Sequence, residues 1–334
     1  MFTKHPHPRR RPLAAGVYGV VVAVLVSLAV LDAGLGESGG GARNSLTLMA
    51  PAAPGGGWDL AARESQQTMR AAGIVNSVQV VNVPGAAGTI GLSQTVDRAG
   101  DASLLLITGT VMVGGIEVSG SEDTLRDVTP IARLADDYGV VVVPADSPYR
   151  TLGDLLADWR RDPEGTAIGG GSLGGTDHLL AGLLAREAGI EPDLLNYIAY
   201  PGGGEVTTSL LSHTVAAGVS GYNDFSDQIE SGRFRALGLS SDARIDGIDV
   251  PTFAEQGVDV SLPNWRGLVA PPGLTAEERS ELEDIATELA RSPEWAEVLE
   301  RNRWADTFMT GETFETFLDE ETARVHEVIE ELGL

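Results

Sequence analysis

An apolar run, a glycine-rich turn and an amphipathic segment follow one another repeatedly along this chain, and that order restricts it to the α/β class. Leu46-Thr47-Leu48-Met49 leads into Pro54-Gly55-Gly56-Gly57-Trp58-Asp59 and a predicted helix that Gly73 stops. Val78 to Val83 leads into Pro84-Gly85-Ala86-Ala87-Gly88-Thr89 and a second helix. Leu104 to Thr108 is continuously apolar, as a strand buried on both faces is, and ends in Gly109-Thr110. Gly139 to Val143 continues the sheet, and Pro144 to Pro148 reads as a crossover.

A second set of the same units follows a helix near Leu152–Arg161. Thr166-Ala167-Ile168 runs into Gly169-Gly170-Gly171-Ser172-Leu173-Gly174-Gly175-Thr176-Asp177-His178. A strand near Asn196–Tyr200 opens on Pro201-Gly202-Gly203-Gly204-Glu205, and Val215–Val219 opens on Ser220-Gly221-Tyr222-Asn223-Asp224. Ala236–Leu239 and Gly267–Ala270 are further strands, and helices are expected near Thr275–Ala290, Pro293–Asn302 and Thr313–Leu332. Thr275 and Glu278 have the spacing of a capping box.

Two sets with one grammar predict two α/β lobes: residues 46–143 with 248–334 as the first, and 144–247 as the second. Ligands of open α/β sheets sit outside the carboxyl ends of the strands, so the glycine loops should converge on a cleft between the lobes. Helix starts expose unpaired N–H groups at the positive end of the dipole, which suits an anion.

The first residues differ from the rest. Lys4, Arg9, Arg10 and Arg11 precede an uncharged run from Leu13 to Leu31. As a helix that run would span roughly 28 Å, close to a bilayer core. Residues 1–36 therefore read as a secretory signal or an uncleaved membrane anchor, with the bulk of the protein outside the cytoplasm. Residues 37–45 read as a flexible linker. The chain of 334 residues has no cysteine, which rules out disulfides, thiolate chemistry and lipid attachment through a cysteine. Its formal charge is −25 at pH 7, and Lys4 is its one lysine. Such a surface repels nucleic acid and anionic membranes, so an anionic ligand must be held by local dipoles and an arginine.

Several catalytic patterns fit in letters. Gly170, Ser172 and Gly174 have nucleophile-elbow spacing, with Asp224 and His326 following in hydrolase order. Gly169, Gly171 and Gly174 match the dinucleotide fingerprint, but mid-chain and in an exported protein. A Walker loop needs a lysine that is absent, and the five histidines form no metal-binding pattern. A binding site needs only N–H donors and hydroxyls around a cleft. It therefore accounts for several parallel loops at once.

Pro51-x-x-Pro54-Gly55-Gly56-Gly57-Trp58-Asp59, Asn82-x-Pro84-Gly85-Ala86-x-Gly88-Thr89, Gly169 to His178, Tyr200-x-Gly202-Gly203-Gly204-Glu205, Gly221-Tyr222, Pro251-Thr252-x-x-Glu255-Gln256-Gly257 and Asn264-Trp265-Arg266-Gly267 occur in one order. Together they resemble the extracytoplasmic solute receptors of tripartite tricarboxylate transporters, the Bug-type binding proteins, over about residues 45–334. The resemblance implies a two-lobed type II periplasmic-binding-protein-like fold that closes over a small di- or tricarboxylate, citrate-like, without catalysis, cofactor or metal. It implies delivery to a membrane permease with a large and a small subunit, by a monomer that contacts no nucleic acid. The family's binding loops correspond to Ala53, Gly56, Gly57, Trp58 and Asp59; to Gly88, Thr89, Thr108 and Thr110; to Ser172, Gly174, Gly175, Thr176, Asp177 and His178; and to Gly221, Tyr222, Asn223 and Asp224. Trp58 and Trp265 are candidate cleft walls. The alternatives are a secreted serine hydrolase using Ser172 and a sensor that presents its ligand to a signalling receptor.

Overall fold

The strand β4, Thr129–Pro144, joins everything else in the computed structural model, which describes residues 41–333. Over Thr129–Tyr138 it pairs antiparallel with β9, Pro263–Ala270, and over part of that length with β10, Ala305–Thr310. From Gly139 onward it pairs instead with β7, Ala217–Gly221, and β8, Phe234–Leu239. The sheet thus changes partners between Tyr138 and Gly139.

On one side of that change the order is β2 (Val78–Asn82), β1 (Leu46–Ala50), β3 (Leu104–Gly109), β9, β4; β1 is parallel to both neighbours. On the other side it is β4, β7, β5 (Ile168–Gly170), β6 (Tyr197–Ala199), with β5 parallel to both neighbours. Every residue of β3 is buried, as its unbroken apolar run requires. Alternation along β4 sends Val141 and Val143 to the larger core, and Val140 and Val142 to a second one with Phe225, Phe234 and Tyr222. The fold is the expected α/β, two-lobed arrangement.

Helices follow the strands: α1 (Gly57–Ala71), α2 (Thr89–Val96), α3 (Thr110–Ser119), α4 (Leu152–Arg161), α5 (Thr176–Glu187), α6 (Gly203–Leu211) and α7 (Tyr222–Glu230). The tail adds α8 (Ala276–Arg291), α9 (Pro293–Asn302) and α10 (Glu312–Leu332), which packs on α3 and α5. The Thr275–Glu278 capping box forms, as does a second at Thr151–Asp154, and Ser292 caps α9.

Three elements depart from expectation. The first half of β4 carries Arg133, Asp136 and Asp137, whose charges hide a strand; they are buried because Arg133 pairs with Asp136 and Arg266 with Asp137. Helix α3 and strand β10 were not anticipated either, since α3 is apolar on nearly every face and β10 is short and only half-buried. The expected linker, 37–45, ends earlier: Ala42 is buried and Arg43 donates two hydrogen bonds to Glu288, at 3.0 and 2.7 Å. The signal or anchor expected at 1–36 lies outside the described residues. Among the described residues no helix is long and apolar enough to cross a membrane.

Candidate ligand-binding site

The helices that start at the glycine loops are left without side-chain caps. Gly56, Gly175, Gly202 and Gly221 are the N-caps of α1, α5, α6 and α7, and none supplies a side-chain acceptor. Of the helices away from these loops, α4, α8 and α9 have Thr or Ser there, with the cap bond made, while α10 also starts at an uncapped glycine, Gly311. A glycine N-cap leaves the first-turn N–H groups for water or a ligand.

These starts converge. A Cβ at Gly57 would lie 2.7 Å from both Nη1 and Nη2 of Arg266, so only glycine lets α1 begin against that guanidinium. Nη2 of Arg266 donates to Asp137 Oδ2 at 2.9 Å, and that oxygen would lie 2.8 Å from a Cβ at Gly221. The side chain of Asp224 packs against Gly203 at the start of α6, while Ser220 Oγ donates to Asp224 Oδ2 at 2.8 Å. Asp177 Oδ2 accepts the Gly171 N–H at 2.9 Å, closing the glycine loop that precedes α5. Across the cleft, Gly114 of α3 meets that same loop so closely that a Cβ there would reach within 2.0 Å of the Gly174 carbonyl oxygen. Thr176 Oγ1 donates to Asn264 Oδ1 at 3.3 Å, another contact between the two halves.

The electrostatics differ from those of a bare anion hole, because three of the helix starts carry an aspartate that braces its own loop. Burial would raise the Asp59 carboxyl, but hydrogen bonds from Arg63, Gly55 and Asn82 overcome it and hold it below the usual carboxylate range. Among the described residues Asp177 has no cationic partner: burial pushes it up to about 7, against the Gly171 bond, and the charges of Asp224 and Asp137 add to the rise. Asp224 is raised as well, first by the surrounding protein and then by Asp137, with Ser220 opposing. His178 is buried beside Tyr197, its Nδ1 accepts the Gly174 N–H at 3.0 Å, and burial pushes it down to about 4, so it is neutral near pH 7.

Of the residues expected at the site, the structure brings together Gly57, Gly175, Thr176, Asp177, Gly221 and Asp224, with Gly56 as the N-cap before Gly57. Ala53 is exposed on the adjoining loop, and its carbonyl accepts the Gly56 N–H. Ser172 is exposed at the loop tip. Trp58 packs against Gly88 and Gly109, locking three loops of the first half together.

Others are engaged elsewhere. Thr89 donates to Ala86 C=O, Thr108 to Met112 Sδ and Thr110 to Pro263 C=O, all from buried side chains. Tyr222 lies under the Arg303 guanidinium, and Asn223 Nδ2 donates to Asn302 C=O at 2.6 Å. Trp265 is no cleft wall: it is fully buried, donates to Glu321 and packs on Phe314 and Phe317. The hydrolase constellation is not assembled either. Among the described residues Ser172 has no histidine partner, and His326 Nδ1 lies 2.9 Å from Glu117 on α3. No group of side chains there is placed to hold a metal.

Arg266, Asp137 and Ser220 were missed as site residues. The signal available for Arg266 was its place in Asn264-Trp265-Arg266-Gly267, beside strands that carry almost no other cation.

The model of the tripartite tricarboxylate transporter family receptor, TctC, matches residues 61–334. The BugT protein of Bordetella pertussis is 31% identical over 235 residues, covering 68% of this chain and 71% of that protein. A TctC solute binding protein from Polaromonas, solved without ligand, superimposes with a TM-score of 0.68 at 26% identity, over 86% of this chain and 98% of that one. MatC from Rhodopseudomonas palustris, solved with malate bound, shares the fold with a TM-score of 0.74 at 19% identity, over 86% of this chain and 99% of that one. With loops, fold and family model in agreement, this chain belongs to the tripartite tricarboxylate transporter receptor family.

Proposed function

We propose that this protein is an extracytoplasmic receptor that closes over a small di- or tricarboxylate and delivers it to a permease with a large and a small subunit, acting as a monomer and without catalysis. The observation that carries the reading is that four uncapped, glycine-started helices meet in a chain of contacts: α1 begins against Arg266, α7 against its partner Asp137, α6 against Asp224, and α5 bonds to Asn264. Helix N-termini and a guanidinium are the two devices that hold a carboxylate in a protein of strongly negative net charge. Malate in MatC is in keeping with a carboxylate ligand in this fold.

The lobes of this reading are residues 46–143 with 248–334, and 144–247. They hinge on β4, and a ligand that touches both favours the closed form by its differential affinity. A thermal-shift screen of di- and tricarboxylates tests the reading: a true ligand at ~100 times its Kd adds about 2.7 kcal/mol of stability. Absence of stabilisation by every organic acid tried would refute it.

A further inference from the structure

Asp224 is solvent-exposed although protein surrounds it on most sides, the combination found in a side chain lining a deep cleft. Among the described residues Ser220 Oγ is its one side-chain donor, with the Gly221 N–H beside it, which leaves acceptor capacity on the carboxylate unused. The nearby cation is already matched, since Arg266 pairs with Asp137. Asp177 adds another carboxylate within electrostatic reach of Asp224. Arg266 is itself only 6% exposed, and its buried Nε has no hydrogen-bond partner among the described residues. The site therefore sets an exposed carboxylate with spare acceptor capacity near a buried guanidinium whose charge Asp137 already balances.

On the receptor reading above, we propose that Asp224 is a specificity-determining residue, accepting a hydrogen bond from an ammonium or hydroxyl that the ligand carries near the carboxylate held at Arg266 and the α1 start. A plain dicarboxylate would set its second negative charge against Asp224 and Asp177, an unfavourable like-charge juxtaposition. An ammonium turns that repulsion into an ion pair, and a hydroxyl turns it into a charge-assisted hydrogen bond. Affinity should therefore rise from hydrogen to hydroxyl to ammonium on the same carbon skeleton.

The test is isothermal titration calorimetry of the full chain with succinate, L-malate and L-aspartate, and with glutarate and L-glutamate, at pH 7.5. The expected order is aspartate, then malate, then succinate, with at least about tenfold between the ends, the size of one charge-assisted hydrogen bond. Asp224→Asn, which keeps an acceptor for Ser220, should compress that range to about threefold or less, whereas Asp227→Asn on the exposed face of α7 should leave it intact. Because the order is read on the unaltered protein, an unstable variant does not rescue the idea. Succinate binding as tightly as aspartate and malate, or a range unchanged in Asp224→Asn, would overturn this inference and leave the receptor reading standing. Binding of no acid at all would overturn both.

Discussion

Arg266 and Asp137 form an ion pair at 2.9 Å, both nearly fully buried, with Asp137 two residues before the point where β4 leaves one half of the sheet for the other. The pair therefore ties β9 to the strand on which the two halves turn, and it presents a guanidinium edge to the first residue of α1.

Replacing Arg266 with Met should strand Asp137 as a buried, unpaired carboxylate. Breaking one side of such a pair typically costs about 3–5 kcal/mol, whereas removing both charges costs far less. Chemical denaturation should show a large loss for Arg266→Met and recovery of most of it in Arg266→Met with Asp137→Asn. Neither protein should regain organic-acid binding. Recovery of binding in the double variant would mean that Arg266 serves the fold alone.

Gly114 and Gly174 meet backbone to backbone, with the Cβ of any other residue at 114 arriving 2.0 Å from a carbonyl oxygen. Neither partner is a flexible side chain, so the halves would have to separate. Gly114→Ala should weaken ligand affinity by at least about tenfold, equivalent to 1.4 kcal/mol of closure energy. Small-angle scattering should show a more open particle with ligand present. Unchanged affinity would show that the contact yields without opening the cleft.

Asp177 should give the protein an unusual pH response. Its carboxyl titrates at about 7 in the folded chain and near 4 when unfolded, so between those values the folded state holds a proton that the unfolded state has released. Stability from this group is full below pH 4 and falls as pH rises toward 7. Asp224 shifts in the same direction, so Asp177→Asn should flatten the decline between pH 5 and 8 rather than abolish it. The change should be on the order of 1 kcal/mol, because part of the side chain remains in water. Melting curves at four pH values check it, and a slope identical to the parent's would contradict the assignment.

Thr275 caps α8 far from the cleft, accepting the Glu278 N–H while the Glu278 side chain returns to Thr275 N–H. Thr275→Ala should cost about 1 kcal/mol of stability with ligand affinity unchanged. Loss of affinity would reveal a coupling between the tail helices and the cleft that the packing does not suggest.

Much of this molecule is legible in local sequence. Gly73 ends α1 with φ +68°, the continuous run 104–108 is a strand buried on both faces, and Thr275 with Glu278 forms its box. These features depend on backbone sterics and on neighbours a few residues away, which a sequence displays directly. The site was legible only as loops. Thr89, Thr108 and Thr110 stand where hydroxyls were wanted, yet each spends its donor on a main-chain carbonyl or a sulfur beneath the cleft. Which way a short side chain faces depends on packing, not on its position in a motif.

The sequence by itself determined the α/β class, the run of glycine-started helices and the family, because each is written in consecutive residues. Only the tertiary structure decided the charge of the cleft. Arg266 lies 129 residues from Asp137, and in sequence both belong to ordinary polar interruptions of apolar strands. Folding removes them from water together, and a buried charge is tolerated only beside its partner, so the pairing of β4 with β9 selects which arginine stands in the site.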